Sequence, residues 1–106
     1  MAIQKKKTIA KKASGGEKSL KVDKFLKVVA DNNRLRILCI LGDQTMNVTD
    51  IYKKLKLPQN LTSHHISKLK ELELLNEKRE GTFRNYSVNK KKLKEYNNSF
   101  KDLLKI

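Results

Sequence analysis

Between Leu57 and Leu72 the chain reads LPQNLTSHHISKLKEL, and Gln59, Asn60, Ser63, His64, Ser67 and Lys68 are its chemically versatile residues. Gln, Asn and Ser carry short amides and hydroxyls that donate and accept hydrogen bonds, and Lys adds a cation. On one face of a helix such groups suit a surface that lies deep in a duplex groove and bonds to base edges and phosphates. A helix whose outer face needed only solubility would more often show Glu and Lys there, although an ordinary surface helix rich in Ser and Asn has the same composition. No nucleophile–base–acid set, phosphate loop or carboxylate cluster accompanies them, and His64 has no suitably placed acid on its own helix, so an enzyme is not expected.

The elements that position these residues are legible around them. Leu61, Ile66, Leu69 and Leu72 fall roughly along one stripe at helical spacing, which would seat the helix on a core. Pro58 favours its start. Upstream, Asn47-Val48-Thr49-Asp50 has the form of a capping box and opens a short helix through Ile51, Tyr52 and Leu55 to Lys56. Two short helices joined across Leu57-Pro58 make a helix-turn-helix, whose second member enters the major groove. After Leu72 the period turns from helical to alternating. Residues 75–79 and 83–88 read as a two-stranded hairpin, with Gly81 at the turn position needing positive φ. Phe83 and Tyr86 break strict alternation, which predicts a bulge or register shift near the tip. Lys78, Arg79 and Arg84 cluster there, forming a basic wing able to touch the DNA backbone or minor groove.

Before this unit, Leu20, Phe25, Leu26 and Val29 mark an amphipathic helix from Ser19 to near Asp31. A second helix, capped by Asn32 or Asn33, carries Leu35, Ile37, Leu38, Ile40 and Leu41 and should be the most buried of all. Gly42 ends it. Cys39 lies in that apolar run and reads as a small core hydrophobe. Asn89 caps a last helix with a stripe of Leu93, Tyr96, Phe100, Leu103 and Leu104. A domain this small already has its core, so that stripe, with Leu20 of the first helix, predicts a homodimer interface across a two-fold axis. Residues 1–18 hold six lysines and one glutamate and read as a disordered basic arm. One folded domain, 19–106, would follow it, mainly α with a small β-hairpin, in the order α-α-α-α-β-β-α.

The whole chain of 106 residues carries 25 Lys and Arg against 11 Asp and Glu, a formal charge of +14. Such an excess favours a polyanion: nucleic acid first, an acidic membrane surface second. No apolar run approaches the roughly 18 residues that cross a bilayer, and no signal-peptide core opens the chain. The expectation is a cytoplasmic, nucleoid-associated protein with no membrane partner. A single cysteine excludes an internal disulfide framework.

The order of elements resembles the ArsR/SmtB family of winged-helix transcriptional repressors. The matching residues are Asn33-Arg34-Leu35-Arg36-Ile37-Leu38, Val48-Thr49-Asp50-Ile51, the run from Leu57 to Ile66, and Arg79-Glu80-Gly81 followed by Tyr86. The resemblance spans residues 20 to about 104 and implies a homodimer that binds operator DNA and leaves it when a metal ion or other inducer binds. It places Gln59, Asn60, Ser63 and His64 at DNA-contacting positions, with Lys68 further along, and His65 at one that supports the helix from behind. Asn47 and Thr49 stand where soft-metal sensors carry thiolates, and the last helix offers Glu95 and Asp102 but no His, so neither metal site of the family can form. A repressor without metal sensing or cofactor is expected, its inducer unknown. Two rivals remain: an architectural protein that coats DNA with little sequence preference, and a winged-helix protein-interaction or antitoxin module.

Overall fold

The computed structural model describes residues 13–106. The elements, in chain order, are α1 (Ala13–Val29), α2 (Asn32–Leu41), β1 (Met46–Asn47), α3 (Val48–Leu55), α4 (Gln59–Glu71), β2 (Leu75–Glu80), β3 (Phe83–Val88) and α5 (Lys90–Leu104). This is the expected winged helix-turn-helix with one strand more. Met46 and Asn47 pair antiparallel with Tyr86 and Asn85, so the hairpin is two strands of a three-stranded sheet ordered β1-β3-β2.

The hairpin register runs unbroken from Leu75↔Val88 to Glu80↔Phe83, so the expected bulge is absent. Gly81 carries φ +64° while Thr82 has no positive φ, the arrangement of a two-residue type II′ turn. Phe83 leaves the alternation simply because it sits exposed at the tip, whereas Tyr86 is buried.

Helix ends follow local chemistry. Asn47 Oδ1 accepts from the Asp50 amide at 2.8 Å and caps α3, as its sequence predicts. Asn89 caps α5 through the Lys92 amide at 3.1 Å, and Gly42 closes α2 with φ +50°. The cap of α2 is Asp31, not Asn32 or Asn33: its carboxylate accepts from the amides of Asn33 (2.9 Å) and Arg34 (3.2 Å). Because Asp31 caps the next helix, α1 stops at Val29. At its other end α1 begins at Ala13, so residues 13–18 of the predicted arm are helical. An ion pair from Lys18 to Asp102 of α5 (3.0 Å) ties that end down. The remainder of the predicted arm, residues 1–12, lies outside the described residues.

The core is Ile37 and Leu41 of α2, Ile51 and Leu55 of α3, Ile66 and Leu69 of α4, with Met46, Leu74, Leu75 and Tyr86 from the sheet side. Two expectations fail here. In α2, Ile37 and Leu41 face inward one turn apart, which puts Leu35 and Cys39 on the opposite side of the cylinder. Leu35 is 49% exposed and Cys39 is exposed as well. Arg34 and Arg36 are half-buried, and Arg36 donates to the Leu55 carbonyl at 3.3 Å. In α4 the buried stripe is Thr62, His65, Ile66 and Leu69, with Leu61 exposed and Leu72 half-buried at its C-terminal end.

α1 and α5 pack on each other beside this core, with the rings of Phe25 and Tyr96 stacked at 4.8 Å. Tyr96 also donates to the Leu72 carbonyl at the end of α4 (3.3 Å). Leu93 and Tyr96 therefore serve the protomer's own packing. Phe100 and Leu103 are half-buried, while Leu20 and Leu104 stay 66% and 53% exposed.

Candidate nucleic-acid interface

α4 is held from behind by polar as well as apolar groups. His65 is almost fully buried, and its Nδ1 accepts a hydrogen bond from Arg34 Nε at 3.2 Å, with an Asp31 carboxylate oxygen 3.9 Å away. Burial lowers the His65 pKa; Asp31 opposes that and Arg34 adds to it. The imidazole is thus neutral near pH 7 and offers Nδ1 as an acceptor. Burial pushes the Asp31 carboxyl up, but hydrogen bonds from the Arg34 and Asn33 amides, with His65 and the Arg34 guanidinium alongside, leave it lowered. The cap of α2 and the support of α4 are one cluster, which fixes α4 against α2. Thr62, the fully buried fourth residue of α4, has a hydroxyl without a hydrogen-bond partner among the described residues.

With Thr62, His65, Ile66 and Leu69 inward, helical geometry turns Asn60, Ser63, His64 and Ser67 outward. All four are exposed, as is Gln59 in the first turn. His64 and His65 are neighbours in sequence but differ completely in role: one ring faces solvent and the other the core, their centroids 5.7 Å apart. Lys68 is half-buried and pairs with Glu71 at 3.8 Å; by its helical angle it flanks the face on the side away from the wing.

Lys78, Arg79 and Arg84 are all exposed on the hairpin. Arg79 and Arg84 are cross-strand partners and share a side of the sheet, while Lys78 alternates to the other side. Between α4 and the wing runs an open groove of about 470 Å³, walled by Ser63, Ser67 and Lys70 on one side and Thr82, Phe83 and Arg84 on the other, with Ile66 and Tyr86 in its floor. Of the residues expected to touch DNA, the groove brings together Ser63, Ser67 and Arg84. Sequence reasoning missed Lys70, which lines the groove, and Glu77, whose carboxylate meets Lys70 and Arg84. The Lys70 ammonium contacts the Glu77 carboxylate, and Arg84 Nε lies 3.6 Å from the same carboxylate. The hydrogen bond from Lys70 holds the Glu77 carboxyl below the usual carboxylate range. Ser63, Ser67 and Lys70 follow at i, i+4 and i+7, a spacing that could have placed Lys70 on the edge of this face; its partner on the wing leaves no comparable sequence signal.

Among the described residues no three His, Cys, Asp or Glu side chains come together to hold a metal ion, and no helix is long and apolar enough to cross a membrane. An arrangement of exposed amides and hydroxyls on a helix, beside a basic hairpin and a groove, has the donors, acceptors and charge that can bind a duplex.

Comparison with known proteins agrees with this geometry. Residues 31–77, which run from the α2 cap through α4 into the wing, match the family described as bacterial regulatory protein, arsR family. The chain is 35% identical over 80 residues to an uncharacterised HTH-type transcriptional regulator of Methanocaldococcus jannaschii, covering 74% of this chain and 90% of that one. It is 32% identical over 76 residues to the transcriptional activator HlyU of Vibrio cholerae, covering 72% and 70%. The structure of reduced HlyU from Vibrio cholerae superposes with a TM-score of 0.71 at 28% identity, over 85% of this chain and 95% of that one.

Proposed function

The chain belongs to the ArsR family of DNA-binding helix-turn-helix transcriptional regulators, and from that premise we propose that it acts as a homodimeric repressor on an inverted-repeat operator. The observation that carries this reading is the division of α4 into two faces. Thr62 and His65 are withdrawn into the fold, and Asn60, Ser63, His64 and Ser67 are left outward beside a basic wing. Gln59, Asn60, Ser63 and His64 supply bonds to base edges, and Ser67, Lys68, Lys78, Arg79 and Arg84 grip the backbone.

The exposed leucines of α1 and α5, Leu20 and Leu104, support pairing of two protomers through those helices. Pairing would set two copies of α4 about 34 Å apart, one turn of duplex, on the same face. A dimer seated on a promoter in this way obstructs polymerase. No metal takes part, because Asn47 and Thr49 replace thiolates and α5 presents no imidazole; the inducer, if the protein has one, is of another kind.

Selection of bound duplexes from a random pool tests the proposal. A palindrome with half-sites 10–10.5 base pairs apart between centres is the expected product. Enrichment of no common sequence would overturn it in favour of a DNA-coating role. If the dimer neutralises about eight phosphates, the log–log salt slope of binding is near −7, and a slope shallower than about −3 contradicts the phosphate grip assigned here.

A further inference from the structure

Among the described residues Glu77 is the carboxylate that pairs with both Lys70 and Arg84, one on each wall of the groove between α4 and the wing. It projects from β2 with its side chain 22% exposed, contacts the Lys70 ammonium on α4, and lies 3.6 Å from Arg84 Nε on β3. An acidic residue in that place is unexpected on a surface that has to approach a polyanion. Its partners explain it. An ammonium and a guanidinium held on a shared oxygen anion are the two groups that most often hold a phosphate, and a carboxylate presents them with similar acceptor atoms.

We propose that Lys70 and Arg84 form a backbone-phosphate site in this groove and that Glu77 is its built-in competitor, occupying the cations until a DNA phosphate displaces it. The inference rests on the DNA-binding reading and adds to it a site and a residue that weakens binding. The surroundings fit a phosphodiester. The groove is about 470 Å³ and open to solvent, and the hydroxyls of Ser63, Ser67 and Thr82 line it as further donors. The Lys70 ammonium also sits 5.9 Å over the Tyr86 ring, an attraction that keeps it in the groove when the carboxylate lets go. Ion pairs this open to water are weak enough to exchange partners.

The trio of Lys70, Arg84 and Glu77 carries a net charge of +1. Replacing Glu77 by Gln keeps the shape and raises it to +2, so each protomer neutralises one phosphate more. The salt slope on a random duplex then steepens by about 0.9 per protomer, and with equal affinity at 1 M salt the binding at 0.1 M tightens about eightfold per protomer. The experiment measures binding of the full chain to a labelled random duplex across 0.05–0.3 M salt. It compares wild type, Glu77→Gln, the Lys70→Gln/Arg84→Gln pair and the three changes together.

The expected result is a tightening and a steeper slope for Glu77→Gln that shrinks below about twofold once both cations are gone. A charge acting only at long range would give the same gain in both backgrounds, and that outcome overturns the proposal. So does unchanged or weaker binding by a Glu77→Gln protein that still melts cooperatively. Should that variant not fold, Glu77→Asp keeps the charge while withdrawing the carboxylate, and it must tighten binding in the same direction; no tightening overturns the proposal. A wild-type protein that binds no duplex at all sinks both this site and the function on which it rests, whereas wild-type binding with an inert Glu77 sinks the site alone.

Discussion

Acidification should weaken this fold through His65. In the folded state its Nδ1 accepts from Arg34 Nε at 3.2 Å and the ring is buried, so its pKa lies below the ordinary value of 6.5. In the unfolded chain the same imidazole titrates near 6.5. A folded pKa below the unfolded one means that the unfolded state binds the proton first. Stability is therefore complete above about pH 6.5 and is lost as pH falls from there to the folded pKa, after which this group contributes no further change. The limiting slope is about 1.36 kcal/mol per pH unit, so between pH 6.5 and pH 5 the loss is at most about 2 kcal/mol. That is a sizeable part of the 5–15 kcal/mol typical of a small domain. Asp31, whose pKa is lowered, adds its own loss only below the ordinary carboxylate range near 3.8, outside this window. Urea unfolding at pH steps from 7.5 to 5 reads the effect, with His65→Asn as the reference because its amide oxygen can still accept from Arg34 but does not titrate. The difference between wild type and variant should be flat above pH 7 and move against the wild type below 6.5. A difference that stays constant to pH 5, or a wild type that gains on acidification, would show that His65 is not held neutral by Arg34 and the core.

Three further changes test other parts of the structure. Thr62→Val replaces a fully buried, unpartnered hydroxyl by a methyl group of the same shape and should stabilise the fold by about 1 kcal/mol, raising Tm by several degrees; a lower Tm contradicts the unsatisfied hydroxyl. Asn47→Ala removes the cap of α3 and should cost about 1 kcal/mol in chemical denaturation, with a loss below a few tenths refuting the cap's role. Leu20→Glu combined with Leu104→Glu changes two side chains exposed on the protomer and should leave its helix content unchanged while abolishing the proposed dimer in sedimentation and the concentration dependence of Tm; a doubly changed protein that still sediments as a dimer excludes the α1–α5 surface.

The order of helices, the position of the hairpin and most caps could be read from sequence because each has a short-range chemical signature. Asn47 and Asn89 precede helices with an amide ready to accept from the first turn, and Gly42 and Gly81 sit where φ must be positive. The faces of the helices were harder. α2 is apolar almost all round, so no pattern distinguishes Ile37 from Leu35 or Cys39, and burial was decided by which side met α3 and α4. In α4 the buried positions include Thr62 and His65, polar types that sequence reasoning assigns outward unless a partner such as Arg34, 31 residues earlier, is known. β1 is two residues long and shows no alternation to detect. The outward residues of α4 were identified because their types and spacing are unusual for mere solvent exposure. Lys70 and Glu77 were not, because each alone is an ordinary surface charge and only the fold brings them together.

Asn47 is both the last residue of β1, paired with Asn85 on the wing, and the cap of α3. One side chain and one backbone segment thus rivet the hairpin to the first helix of the helix-turn-helix. The distance from the wing's Arg84 to the face of α4 is consequently set by the protein and not adjusted to each site. On the binding mode proposed above, a duplex whose groove width differs from that span would have to deform to be held by both, and sequences that bend at low cost would gain an advantage at base pairs no side chain touches.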